Sequence, residues 1–337
     1  MTARRSAGKL ARVRRRWRAL SVLVTLAALH AGCEGGVGPG AEEQEAEQRG
    51  VPELSPRSAR PAASRVVAIG DLHGDVGAAR RALRMAGAIG DGDSWIGGDL
   101  VVVQTGDQID RGADDRAVLD LFTDLAKDAK SSGGEVIALA GNHEIMNAMF
   151  DFRYVAPEAY APFDGFTPTG PAASRAARFG DEKRGRASAF APGGVYASIL
   201  AERPLVVRVG DSVFAHGGVH LKHATYGIDR INDGVREWLA GRAAEPPAIA
   251  VADDGPIWTR AYSDGTVTPS ACATLTQTLS KLHASRLVMG HTIQEGGISS
   301  ACDGEAWRID VGMSEAYGGD VEVLEIAKGD VRVLRGP

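Results

Sequence analysis

Five short apolar runs each break off at a cluster of glycine with aspartate, histidine or asparagine, and no other feature constrains the fold as strongly. Val66–Ile69 runs into Gly70-Asp71-Leu72-His73-Gly74-Asp75, and Leu100–Val103 leads to Gly106-Asp107-Gln108-Ile109-Asp110-Arg111-Gly112. Val136–Ala140 leads to Gly141-Asn142-His143-Glu144, Ser212–Ala215 to His216-Gly217-Gly218, and Leu287–Met289 to Gly290-His291-Thr292. Bounded runs of this kind, rich in Val and Ile, read as buried strands. Helical spacing lies between them: Val118, Leu121, Phe122 and Leu125 share one helix face, as do Ile228, Ile231, Val235 and Trp238, and then Leu275, Leu279 and Leu282. Strands alternating with helices predict an α/β protein, with ligands gathered at the carboxyl ends of the strands.

A single Gly-Asp turn or a lone histidine would be ordinary; five such strand ends, expected to converge on one sheet edge, call for a chemical reason. Asp, His and Asn donors suit a pair of divalent metals such as Mn, Fe, Zn or Mg, and differ from the Cys-rich set of a closed structural zinc site. Further β material is expected at Arg308–Val311, Val321–Ile326 and Val331–Leu334, with Gly329-Asp330 as a hairpin turn. Residues 151–195 show weak periodicity and many Gly, Pro and Ala, and read as an insertion lobe over the strand ends.

The N-terminus has the grammar of an export signal. Eight cations and no acid precede Cys33, around an apolar run from Ala19 to Leu29 that ends in small residues Ala31-Gly32. An apolar run of eleven residues (Ala19–Leu29) is too short to span a bilayer. The ending resembles a bacterial lipobox, with His30 where Leu is usual, so residues 1–32 are expected to be a signal peptide and Cys33 a lipidation site. This predicts an exported protein, periplasmic or anchored to the membrane as a lipoprotein of a bacterium. Residues 33–64, rich in Gly, Glu, Gln, Pro and Ser, read as a flexible tether, leaving 65–337 as one catalytic domain. The whole chain carries a formal charge of −5, and the part after the leader is more acidic still. An acidic body repels nucleic-acid backbones, so no nucleic acid is expected as a partner. Cys272 and Cys302 form an even pair, readable either as a disulfide in an oxidising compartment or as two buried thiols.

The clustered segments resemble the phosphoprotein phosphatase group of calcineurin-like metallophosphoesterases, whose pattern is GDxHG, GDxxDRG, GNHE and two later histidines. The likeness extends through Asp151-Phe152-Arg153-Tyr154-Val155, Pro192-Gly193-Gly194 and Arg308-Ile309-Asp310-Val311-Gly312-Met313, a set similar to the Shewanella-like protein phosphatases (Shelph). The resemblance implies a four-layer α/β/β/α sandwich of two mixed sheets. It implies two metal ions, Mn first among the candidates, with Asp71 and His73 on one, Asp107 bridging, and Asn142, His216 and His291 on the other. A bridging hydroxide would attack phosphorus in line, while His143, oriented by Asp110, acts as general acid. Arg111 and Arg260 are the expected phosphate arginines, and Arg153 with Tyr154 would line the pocket. Asp75 and Glu144 are expected to support loops. The implied substrate is a phosphorylated protein, with a lean to phosphotyrosine. A diadenosine-tetraphosphatase-like phosphohydrolase shares several motifs and is the alternative; a non-catalytic phosphate-recognition module would have lost a ligand or the His143–Asp110 pair, and none is missing.

Overall fold

The computed structural model describes residues 54–336. Two mixed sheets form its centre. The first has the order β11-β10-β2-β3-β4, in which β2 (Arg65–Ile69), β3 (Val101–Gln104) and β4 (Glu135–Ala138) run parallel. Antiparallel β10 (Glu322–Ala327) and β11 (Asp330–Arg335) complete it. The second has the order β1-β5-β6-β7-β9-β8, built from Ala59–Arg60, Val206–Val209, Ser212–Ala215, Arg286–Met289, Ala306–Arg308 and Ser299–Ala301 respectively.

Side-chain alternation explains how the sheets stack. Along β5 to β7, Val207, Val209, Phe214 and Val288 join the core shared with β2, β3 and β10. Their neighbours Val206, Val213, Ala215, Leu287 and Met289 turn the other way, onto Ile231, Val235 and Trp238 of the helix Ile228–Leu239 and Leu275 and Leu279 of the helix Pro269–Lys281. Period-two strands thus serve two cores at once. In the first sheet β2 and β3 are buried almost throughout, covered by the helices Val76–Met85 and Asp115–Ser131, which is why they read as unbroken apolar runs. The result is the expected sandwich of two sheets between helices.

Four details differ from the sequence reading. The strand ends that converge come from two facing sheets, three from one and two from the other, rather than from one edge. Ordered structure begins before Arg65: β1 pairs with β5, and Ser55 and Ser58 hydrogen-bond Asp229 and Asn232, so residues 54–64 are not tether. The hairpin turn is Lys328-Gly329, both at positive φ as a two-residue type I′ turn requires, because Ala327 pairs with Asp330. The strand expected at Arg308–Val311 ends at Arg308; the chain then leaves the sheet and carries Asp310 toward the site. The leader, Cys33 and the rest of the expected tether lie outside the described residues.

Candidate metal centre and catalytic site

Loops leaving β2, β3, β4, β6 and β7 bring the six expected ligands together. Their packing needs glycine at two motif positions. A Cβ on Gly290 would lie 2.2 Å from Asp71 Oδ1, and one on Gly141 would lie 2.3 Å from Asp107 Oδ1. His73, Asp107, Asp110, Arg111 and His291 all sit at positive φ. Non-glycine residues in that region carry strain of about 1–3 kcal/mol each, and such strain gathers at functional sites.

His216 Nε2 lies 2.9 Å from Asn142 Oδ1, 3.1 Å from His291 Nδ1 and 3.2 Å from Asp107 Oδ2. Hydrogen bonds fix which ring atoms face the cluster. His216 donates through Nδ1 to Thr105 O at 3.0 Å, and His291 through Nε2 to Trp258 O at 3.2 Å. In the neutral rings the inward nitrogens therefore present lone pairs to each other, to a carboxylate and to an amide oxygen. Four acceptors at hydrogen-bond distance with no shared proton are mutually repulsive, and a cation among them removes the conflict. On the other side, His73 turns Nδ1 to Ile109 O and leaves Nε2 at 3.9 Å from both Asp71 Oδ2 and Asp107 Oδ2. Asp107 thus stands between the two groups, and His73, Asp107 and His143 on one side and Asp107, His216 and His291 on the other each converge within 4.8 Å. The donor set fits a pair of divalent cations.

Electrostatics follow from burial and crowding. Burial raises Asp71 well above the usual carboxylate range, and Asp310 and Asp107 push in the same direction. Asp310 itself is raised to about 6, chiefly by burial. For His143, burial opposes the charge, but Asp107 and the hydrogen-bonded Asp110 outweigh it and lift the imidazole to about 9. His143 Nδ1 is 2.7 Å from Asp110 Oδ2, and its Nε2 points into the cluster, 3.7 Å from Asp107 Oδ2. An imidazolium so placed can give a proton to a leaving oxygen.

Glu144 binds three backbone N–H groups, those of Asp107, Gln108 and Gly141, at 2.7–2.9 Å, and so ties the β3 and β4 loops together. Asp75 caps the helix Val76–Met85 through Ala78 N and also accepts from Glu315 N. Both carboxylates hold loops, as their positions in the motifs suggest.

Around the cluster stand the arginines. Arg111 is exposed, its guanidinium 4.0 Å from the Tyr154 ring centre, with no side-chain hydrogen bond to the other described residues. Arg260 donates to His291 O and Thr292 Oγ1, both at 2.8 Å, at the rim of the cluster that holds His216 and His291. Arg153 lies farther out, paired with Asp151 at 2.6 Å and 6.0 Å from the Tyr154 ring. Tyr317, which sequence reasoning missed, packs 5.2 Å from the His73 ring and 6.0 Å from Arg111. It also borders a cleft of about 560 Å³ shared with Ile293, Gln294 and Asp320. A larger cavity of about 680 Å³, between Arg60, Phe122 and Arg203, contains none of the clustered ligands. Cys272 and Cys302 are joined by a disulfide that ties the helix Pro269–Lys281 to the segment after β8. His220, His223 and His283 stay outside the cluster.

The family model for calcineurin-like phosphoesterases matches residues 64–295, the span that contains all six expected ligands. The chain belongs to that family. Its relatives place this calcineurin-like phosphoesterase in the Shewanella-like branch: it is 38% identical to Shewanella-like protein phosphatase 2 of Arabidopsis thaliana over 80% of this chain and 77% of the relative. It is 31% identical to Shewanella-like protein phosphatase 1 of Plasmodium berghei over 74% of this chain and 67% of that one. Among solved structures, the cold-active protein-tyrosine phosphatase of a Shewanella species superposes with a TM-score of 0.64 at 23% identity, over 84% of this chain and 83% of its own, which shows the shared fold. The chain is a metal-dependent phosphatase.

Proposed function

We propose that the protein hydrolyses phosphomonoesters on proteins, phosphotyrosine foremost, using two divalent cations of which Mn is the first candidate. The observation that carries this reading is the His143–Asp110 pair, 2.7 Å apart, set against the double cluster around Asp107. Asp71, His73 and Asp107 would hold one cation, and Asp107, Asn142, His216 and His291 the other. Such a pair supplies Lewis acidity toward phosphoryl oxygens and an acidified water. The chain's own groups do the rest. Arg111, stacked on Tyr154, offers the donor edge of its guanidinium to a phosphoryl oxygen, and Arg260 offers a second cation from beside His291. His143 delivers its Nε2 proton to the departing ester oxygen, and Asp110 keeps the ring turned for that transfer.

Support for a protein substrate comes from relatives named as protein phosphatases, and support for phosphotyrosine from the protein-tyrosine phosphatase of the same fold. The side chains add a physical reason: Tyr154 and Tyr317 flank Arg111 and the His73–His143 pair, two aromatic faces beside which a phenyl ester can lie. Export, with anchoring through Cys33, is part of the proposal and is consistent with the Cys272–Cys302 disulfide. The test is steady-state hydrolysis by the Mn-supplied protein of matched phosphotyrosine, phosphoserine and phosphothreonine peptides and of diadenosine tetraphosphate, with Asp107→Asn as control. Fast, Asp107-dependent turnover of the phosphotyrosine peptide supports the reading. Turnover of the dinucleotide alone overturns it in favour of nucleotide metabolism.

A further inference from the structure

One charged side chain beside the site has no role in the chemistry above. Arg186 is fully buried in the helix Asp181–Phe190, within the lobe 151–195, and is among the largest side chains so enclosed. Its guanidinium donates to Asn147 Oδ1 at 2.8 Å, to Asp110 Oδ1 at 3.1 Å and to Ala159 O at 3.1 Å, and forms an ion pair with Asp115 Oδ2 at 2.7 Å. Phe163 and Phe190 enclose it, their ring centres 5.1 and 5.0 Å from the guanidinium carbon. Burying an arginine among aromatic rings is costly, and a well-packed apolar residue often stabilises such a place equally well or better. Stability alone is therefore a poor reason for its presence.

Its partners supply a better one. Asp110 Oδ1 receives both Arg186 and Asn147 Nδ2, the latter at 3.0 Å, while Asp110 Oδ2 faces His143 Nδ1. Asp115 Oδ1 holds the backbone N–H of Asp110 at 2.8 Å, and Arg186 pins Asp115. Asn147, bound to Arg186, also donates to His143 O at 2.9 Å. The carboxylate that aims His143 is thus gripped on its far oxygen and at its backbone, and both grips pass through one guanidinium supplied by the lobe.

We propose that Arg186 is a positioning residue for proton donation: it fixes the Asp110 carboxylate so that His143 presents Nε2 to the leaving oxygen, and it makes that alignment depend on the seating of the lobe. The proposal rests on the reading of His143 as proton donor. Loss of proton donation is felt most by substrates whose leaving group most needs a proton, so the effect has a signature that general loosening lacks.

The experiment compares Arg186→Met and Arg186→Lys with the parent and with His143→Asn, all as the full Mn-loaded chain, on phenyl phosphate and on 2,4-dinitrophenyl phosphate. Metal content and thermal melting are recorded for each. In the Met variant, kcat on phenyl phosphate is expected to fall about 10- to 100-fold, with a loss of about threefold or less on the dinitrophenyl ester and little change in KM. Arg186→Lys, which keeps the charge but not the fork, is expected to lie between, and it decides the matter if the Met variant does not fold. Equal losses on both esters in the Arg186 variants, with His143→Asn selective for phenyl phosphate, overturn the positioning role and leave the proton donor intact. Equal losses in His143→Asn as well overturn the proton-donor reading, and the proposal falls with it.

Discussion

His216 Nε2 and His291 Nδ1 face each other across 3.1 Å, each with its remaining nitrogen committed to a backbone carbonyl. With both rings neutral, neither inward nitrogen carries a proton to share, and Asp107 adds a carboxylate oxygen 3.2 Å away. The native arrangement is therefore more stable with cations than without. At a free metal concentration of 100 times its Kd, binding adds about 2.7 kcal/mol for one site. Stripping the protein with a chelator is expected to lower its melting temperature by about 5 °C or more, with recovery on adding Mn, and to abolish phosphatase activity. Differential scanning calorimetry with and without chelator checks this; an unchanged melting temperature in protein confirmed to have lost its metal would contradict the lone-pair argument.

Gly290 tests the same centre from the backbone. Its substitution by alanine places a Cβ 2.2 Å from Asp71 Oδ1, a distance no real contact tolerates, so either the β7 loop or the Asp71 carboxylate must move. Overpacking of this kind costs about 1–3 kcal/mol. Because Asp71 also accepts from His291 N at 3.1–3.2 Å, movement there disturbs an expected ligand in each of the two clusters. Gly290→Ala is expected to bind metal at least about tenfold more weakly, measured by titration calorimetry against the parent, even where circular dichroism shows the fold intact.

Much of this was legible in the sequence, and the limits have physical causes. Strands β2, β3, β6 and β7 announced themselves because they are short, apolar and buried on both faces, and the expected ligands could be picked out because each stands within a few residues of a strand end. Asp310 sat inside a quoted motif and Asn147 three residues beyond one, yet neither spacing nor residue type distinguishes a buried supporting group from a ligand. Arg186 carried no local signal at all: it lies in Asp181-Glu182-Lys183-Arg184-Gly185-Arg186, a charged run that resembles a solvated helix face. Only tertiary packing turns that arginine inward, toward Asp110, 76 residues earlier. The start of ordered structure was misplaced for a similar reason. The segment 54–64 has no apolar periodicity, and it is held by Ser55 and Ser58 on Asp229 and Asn232 and by β1 on β5, contacts made to residues nearly 150 or more positions later.

The disulfide closes a span of 30 residues between Cys272 and Cys302. In the chain-entropy model a loop of that length restricts the unfolded state by about 3–4 kcal/mol. The double variant Cys272→Ser/Cys302→Ser is expected to unfold at correspondingly lower denaturant, with the slope of the transition little changed. Urea titrations of the oxidised, reduced and double-variant forms provide the check. Equal midpoints for all three would show that the bond contributes nothing.

His223 sets a pH dependence that can be separated from the metal centre. It is fully buried, its Nδ1 accepts the backbone N–H of His220 at 3.0 Å, and its Nε2 has no hydrogen-bond partner among the described residues. Burial lowers its pKa to about 4, and the neighbouring His220 and Lys222 act in the same direction, against Asp254. The folded value lies below the unfolded value of about 6.5. Between the two, the unfolded chain binds the proton that the folded chain refuses, so stability is lost as pH falls through that window and is fully present above it. At pH 5 the loss reaches about 2 kcal/mol as an upper figure. His223→Asn retains an acceptor for the His220 N–H and cannot titrate. The parent is therefore expected to lose more stability than this variant between pH 7 and pH 5, by an amount approaching that figure, in urea titrations at the two pH values. Parallel losses in both proteins would place the acid sensitivity elsewhere, with His73 and His291, whose imidazoles burial also holds low, as the next groups to replace.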